Sequence, residues 1–123
     1  MPKKILVADD EEHVLKLISA RLKANSYEII TAIDGKEVIK KAVEEKPDLI
    51  ILDIIMPGID GINAFENLKK TEETASIPII FITAFPSEEL RHKIFELGAA
   101  GFVSKPFEAE DLLAKIKRAL GQP

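Results

Sequence analysis

The 123-residue sequence has no cysteine. That absence excludes a disulfide scaffold, a zinc ribbon, a thiol nucleophile and an iron–sulfur site together, and it suits a reducing compartment. An excess of positive charge is missing too: 17 basic residues stand against 21 acidic ones, a formal net charge of -4. A compact domain with that balance is a poor partner for a phosphate backbone, so direct nucleic-acid binding is not expected. Long apolar runs are also lacking, the purely apolar stretches being too short to span a bilayer, so no membrane partner is expected. Met1-Pro2-Lys3-Lys4 leads at once into Ile5–Ala8 and then four acids, an apolar core too short for a signal peptide. These absences point to a cytoplasmic protein. No Ser/Gly-rich linker, low-complexity stretch or repeat interrupts the chain, so residues 1–123 read as a single domain. A chain this long buries roughly two-thirds of its unfolded surface, enough for a core without staples.

What the sequence does contain is an alternation of two periods. Short β-branched runs recur at Lys4–Ala8, Glu28–Ala32, Leu49–Leu52, Ile79–Ile82 and Gly101–Ser104. Between them apolar residues fall at helical spacing: Val14, Leu17, Ile18 and Leu22; Val38, Ile39, Ala42 and Val43; Leu90, Ile94 and Leu97; Leu112, Leu113, Ile116 and Leu120. Ile62, Phe65 and Leu68 give a weaker signal. Asp34 with Glu37 three residues on reads as an acidic capping box, Ser87 reads as a second cap, and Gly98 and Gly121 read as stops. The pattern is a strand and a helix five times over, (βα)5. Nearly continuous apolar strands joined by helical crossovers form a parallel sheet covered on both faces, an α/β doubly wound fold.

Ligands of such sheets sit beyond the carboxyl ends of the strands. Asp9 and Asp10 follow the first run, Asp53 the third, Thr83 and Ala84 the fourth, and Lys105-Pro106-Phe107 the fifth. Three carboxylates crowded at one edge repel one another, and a hard divalent cation relieves this; a few carboxylates with room for water suit Mg²⁺. A lysine and a threonine hydroxyl at the same edge can meet a phosphoryl oxygen. An aspartate beside them is a nucleophile for phosphoryl transfer, giving an aspartyl phosphate. Taken singly, Asp9 and Asp10 could cap the first helix, Asp53 could open a turn and Lys105 could be a surface lysine. Their joint placement at strand ends argues against coincidence.

The sequence closely resembles the receiver domain of bacterial two-component response regulators, with chemotaxis-regulator-like proportions. The resemblance runs from Lys3 to Leu120. It is carried by Asp9-Asp10 after KILVA, the run Asp53 to Gly61 (DIIMPGIDG), Thr83-Ala84 after PIIFI, and Gly98 to Phe107 (GAAGFVSKPF). It implies a five-stranded sheet of order 2-1-3-4-5, flavodoxin-like. It implies that Asp53 is the phosphoacceptor and that Asp10 and Asp53, with the backbone carbonyl of Ile55, ligate Mg²⁺, Asp9 acting mainly through water. Lys105 would hold the phosphoryl group by charge and Thr83 would donate its hydroxyl to it. Phe102 stands at the position of the switch aromatic, and the Lys105–Pro106 peptide would be cis. The phosphoryl group would come from a phosphohistidine on a sensor histidine kinase, from a phosphotransfer protein, or from a small phosphodonor.

Further expectations attach to this resemblance. Val14, Leu17 and Arg21 of the first helix, with Pro106 and Phe107, would form the kinase-docking patch. Ile55 and Phe85 would flank the path of the hydrolytic water and slow dephosphorylation, unless both simply pack on neighbouring loops. Phosphorylation would be read out by a homodimer or an output partner. The chain would be a signalling phosphoacceptor and not an enzyme, either standing alone or cut from a longer response regulator with a DNA-binding or enzymatic output domain. A haloacid-dehalogenase-like phosphatase would need a second acid at Ile55, and a flavodoxin-like electron carrier a hydroxyl-rich loop where Asp9–Glu12 stand. A receiver serving only as a constitutive docking module would have no use for the complete acidic pocket. His13 and His92 read as solvated helix residues.

Overall fold

A computed structural model describes residues 2–56 and 58–123; Pro57 of the DIIMPGIDG run lies outside the described residues. Strands β1 (Lys4–Ala8), β2 (Glu28–Ala32), β3 (Leu49–Asp53), β4 (Ile79–Thr83) and β5 (Gly101–Ser104) alternate with helices α1 (Glu12–Ala24), α2 (Gly35–Glu45), α3 (Gly61–Lys70), α4 (Glu88–Glu96) and α5 (Ala109–Leu120). All strand pairs are parallel, as the alternating pattern implies, in the order β2-β1-β3-β4-β5 that the family resemblance implies. Two strands run one residue further than their apolar runs. Asp53 pairs with Ile82 and Thr83 with Ser104, so both functional candidates belong to the sheet itself. The ladder continues past them through Ile54 N–H to the Ile82 carbonyl and Lys105 N–H to the Thr83 carbonyl.

Strand alternation divides the core in two. Ile5 and Val7 face α1 and α5 and pack with Leu15, Ile18, Leu22, Leu112 and Ile116. Leu6 and Ala8 face α2, α3 and α4 and pack with Val38, Ala42, Phe65, Leu68 and Ile94. Every residue of β3 and β4 is buried. Helices on both faces leave no wet side, which is why these strands read as unbroken apolar runs. Each fully buried Ile or Leu contributes roughly 1.5–3 kcal/mol relative to exposure.

The helix starts follow their caps. The Asp34 carboxylate accepts from Glu37 N–H, and Ser87 Oγ accepts from Leu90 N–H. Glu37 reaches back to Ile33 N–H, one residue before the cap, so the box is one step wider than its usual form. Asp60 supplies a cap absent from the sequence reading, accepting from Asn63 N–H, and the weak Ile62–Leu68 pattern becomes a ten-residue helix. The α1 cap position is held by Glu11, whose side chain makes no capping bond.

Candidate functional site

The carboxyl ends of β1, β3, β4 and β5 meet at one edge of the sheet, and the acids Asp9, Asp10 and Asp53 come with them. Carboxylate oxygens of the three lie within 4.8 Å of one another. Asp9 is fully buried and Asp53 nearly so, while Asp10 is exposed. Neither Asp9 nor Asp10 caps α1 by its side chain. Asp9 Oδ1 instead accepts from Glu11 N–H at 2.9 Å, and Asp53 Oδ1 accepts from Ile55 N–H at 3.3 Å.

Lys105 is no surface lysine: its side chain is 11% exposed. It directly follows β5 and precedes the cis Lys105–Pro106 peptide. Its Nζ lies 2.7 Å from Asp9 Oδ2, 3.1 Å from Glu11 Oε1 and 3.3 Å from Asp53 Oδ2. The Asp9 contact is an ion pair without hydrogen-bond alignment, so Asp9 Oδ2 stays a buried carboxylate oxygen with no hydrogen-bond donor. Burial opposes the charge of Lys105. The close contacts with Asp9 and Glu11 and the charges of Asp53 and Asp9 outweigh it and hold the ammonium above the usual lysine range. The hydrogen bond from Lys105, and then the lysine charge, keep the Glu11 carboxyl below the usual range. Burial, and next the Asp9 charge, push the Asp53 carboxyl up to about 6 against the pull of Lys105. Among the described residues the acids therefore exceed the one cation that contacts them. Oxygen-only donors, one of them buried and orphaned, suit a hard divalent ion such as Mg²⁺.

Thr83 is buried at the end of β4. Its hydroxyl oxygen accepts from Phe85 N–H at 3.1 Å, and its own proton has no acceptor among the described residues. Strand alternation puts Thr83 on the face of Phe81, and Phe81 is paired with Phe102. Phe102 is thus a diagonal neighbour of Thr83. It is half-buried, packs against the α2–α3–α4 core and lines a cleft of about 950 Å³ between α4 and α5.

Asp10, Glu11, Asp53, Ile55, Ala84, Phe85 and Lys105 line a second cleft of about 160 Å³. Ile55 is 55% and Phe85 71% exposed, so neither is packed away under a loop. Further round, Leu17, Arg21 and Phe107 line a groove of about 110 Å³ between α1 and α5. Val14 and Pro106 are not among its lining residues; Val14 is half-buried against the α1–α5 core and Pro106 is exposed. His13 is exposed, 3.7 Å from Glu11, and His92 is exposed on α4.

Two residues escaped the sequence reading. Glu11 looked like one more acid in an acidic run, though a long side chain at a cap position was the available sign. Gly61 packs so closely on β3 that a Cβ there would collide with the Asp53 carbonyl oxygen.

The family model of the response regulator receiver domain matches residues 5–117. The alkaline phosphatase synthesis transcriptional regulatory protein PhoP of Bacillus subtilis is 42% identical over 120 residues, covering 98% of this chain and 49% of PhoP. The chain therefore spans about half the length of that relative. The chemotaxis protein CheY4 of Vibrio cholerae is similar in structure, with a TM-score of 0.92 at 32% identity over 98% of this chain and 100% of that one. The receiver domain of sensor histidine kinase PA1611 from Pseudomonas aeruginosa has a magnesium ion coordinated in its active site cleft. It is similar with a TM-score of 0.90 at 25% identity, over 99% of this chain and 100% of that one.

Proposed function

Because this chain belongs to the response regulator receiver domain family of two-component systems, we propose that it is a phosphorelay phosphoacceptor whose receiving residue is Asp53. One observation carries the reading: Asp53 is a nearly buried carboxylate at a cleft, in contact with Lys105 and crowded by Asp9 and Asp10. An Asp53 oxygen forms a bond to phosphorus while the phosphorus–nitrogen bond to a histidine kinase or phosphotransfer-protein imidazole breaks, its electron pair returning to the ring. Lys105 neutralises charge on the transferring oxygens, and the free Thr83 proton is available to one of them. Asp10, Asp53 and the Ile55 carbonyl would hold Mg²⁺, with Asp9 acting through water; when bound, the ion supplies charge neutralisation that one lysine cannot. The chain modifies only its own side chain, so it is a signalling phosphoacceptor and not an enzyme with a separate substrate.

Thr83 moving toward the phosphoryl group frees space beside Phe102, and the ring turns inward. This biases the α4–β5–α5 side toward a second copy or an output partner. Leu17, Arg21 and Phe107, with Val14 and Pro106 at the margin, form the kinase-docking surface. Residues 1–123 make one receiver domain, alone or at the head of a longer response regulator with a DNA-binding or enzymatic output domain. A cytoplasmic location goes with this reading. Among the described residues no helix is long and apolar enough to cross a membrane.

Acetyl phosphate with Mg²⁺ should add the mass of one phosphoryl group to the intact protein. EDTA or Asp53→Asn should abolish the gain. A gain that survives either treatment overturns the assignment.

A further inference from the structure

An ammonium has three N–H donors, and Lys105 has three carboxylate neighbours: Asp9, Glu11 and Asp53. Two of them, Glu11 and Asp53, accept hydrogen bonds and Asp9 is ion-paired, so three carboxylates crowd the ammonium within 3.3 Å. If Asp53 receives a phosphoryl group, as proposed above, that group needs a place against Lys105, and one neighbour must yield. Asp9 cannot, being fully buried with its other oxygen held by Glu11 N–H. Asp53 is the acceptor itself. Glu11 can: its side chain is 47% exposed and swings on three bonds.

The local structure agrees. Glu11 occupies the N-cap of α1, where a short Asp, Asn, Ser or Thr would satisfy a free N–H of the first turn. Glu11 makes no such bond and reaches instead to a lysine 94 positions away. Among the described residues its other oxygen pairs only with the exposed His13, at 3.7 Å. Glu11 also lines the cleft through which a phosphodonor must approach.

We propose that Glu11 is a displaceable counter-ion, holding one donor of Lys105 in the unphosphorylated protein and surrendering it to the phosphoryl oxygens. It is a positioning residue, acting through Lys105 and setting how readily Asp53 is labelled. With acetyl phosphate, an Asp53 oxygen bonds to phosphorus and acetate leaves with the electron pair of the broken phosphorus–oxygen bond. Glu11 exchanges no atom or proton and only loses its hydrogen bond.

The test compares Glu11→Gln, Glu11→Asp and Glu12→Gln with wild type, each as the whole chain. Glu11→Gln removes the charge and leaves only a neutral amide oxygen as a weaker acceptor. Glu11→Asp keeps the charge and withdraws the reach. Glu12→Gln removes the same charge one residue away, where the side chain pairs with Lys16 instead. Both Glu11 variants should label about two- to fivefold faster than wild type, the fold-change equivalent to losing one exposed ion pair. Glu12→Gln should label at the wild-type rate. Decay after donor removal should be the same in all, because Glu11 has already let go. In metal-free protein, NMR should show the Lys105 ammonium protons exchanging with water faster in both Glu11 variants.

Wild-type labelling in Glu11→Gln overturns the proposal. So does Glu11→Asp matching wild type, or Glu12→Gln matching Glu11→Gln, since either makes long-range charge the cause. Altered decay also overturns it. A wild type that does not label at all strikes the phosphoacceptor reading and the displacement with it. Labelling that is indifferent to Glu11 strikes the displacement alone.

Discussion

Asp53 is asked to stay ionised where burial and Asp9 both disfavour its charge, and its carboxyl is pushed up to about 6. The ordinary carboxylate value is about 3.9. With a raised folded value, the folded state holds more protons than the unfolded chain between these limits. The contribution to stability is therefore full below about pH 4 and is lost as pH rises through about 6. Asp53→Asn abolishes that loss. In metal-free buffer at pH 7 the variant should be more stable than wild type by about 1–3 kcal/mol, the difference closing near pH 4. Urea denaturation at the two pH values checks this. A second prediction concerns Ile55 and Phe85, exposed at the mouth of the same cleft. Neither side chain can hydrogen-bond a water, and on the proposed reading both would crowd its approach to phosphorus. Ile55→Asn with Phe85→Glu should speed decay of the aspartyl phosphate about tenfold, equivalent to roughly 1.4 kcal/mol of barrier. Wild-type decay as fast as the double variant would mean that these side chains do not gate the water.

Among the elements, α3 and α1 bear most directly on the site. The first residue of α3, Gly61, donates its N–H to the Ile54 carbonyl at 2.8 Å and lies against the backbone of Asp53. An added methyl must push α3 or β3 aside, because the colliding atoms are backbone and cannot rotate away. Gly61→Ala should destabilise the protein by about 1–3 kcal/mol and slow labelling of Asp53. Thermal melts and acetyl phosphate labelling read the two effects. Helix α1 buries Leu15, Ile18 and Leu22 and leaves Leu17 58% exposed beside Arg21 and Phe107. Leu17→Ala with Arg21→Glu should slow transfer from a phosphorylated kinase and leave acetyl phosphate labelling intact. Equal loss in both assays would point to a damaged fold and not to a docking surface.

At the scale of the whole molecule, the sheet joins the acidic edge to the cleft between α4 and α5. Asp53 and Lys105 gather at its carboxyl edge, while Phe102 faces the α4 side and the large cleft between α4 and α5. Thr83 lies in the sheet beside the site and diagonal to Phe102, and on the proposed function it would be the junction. Beryllofluoride, standing in for the phosphoryl group, should draw Thr83 toward Asp53 and turn Phe102 from half-buried to buried. Crystal structures with and without it check this. One unchanged Thr83 position with one unchanged Phe102 rotamer would break the link between site and surface.

How much of this was legible in the sequence follows from the range of each interaction. The strands showed through because β3 and β4 are buried on both faces and are apolar at every step up to Asp53 and Thr83, while their order was implied only by the family resemblance. Asp34 and Ser87 were legible as caps because a cap acts within three residues. Helix α3 was faint because its contact with β3 is made by Gly61, where the lack of a side chain is what permits it. The acids and the lysine could be listed from their positions after the strands, but not weighed. Asp9 and Asp10 are neighbours in the chain, yet one is buried and pairs with Lys105 while the other faces solvent. Glu11 resembled its neighbour Glu12 until the fold brought Lys105 to one and Lys16 to the other. Periodicity, caps and stops are short-range and leave their mark in the order of residues. The energy of a charge depends on its distance through space and its separation from water, and only the tertiary structure sets those.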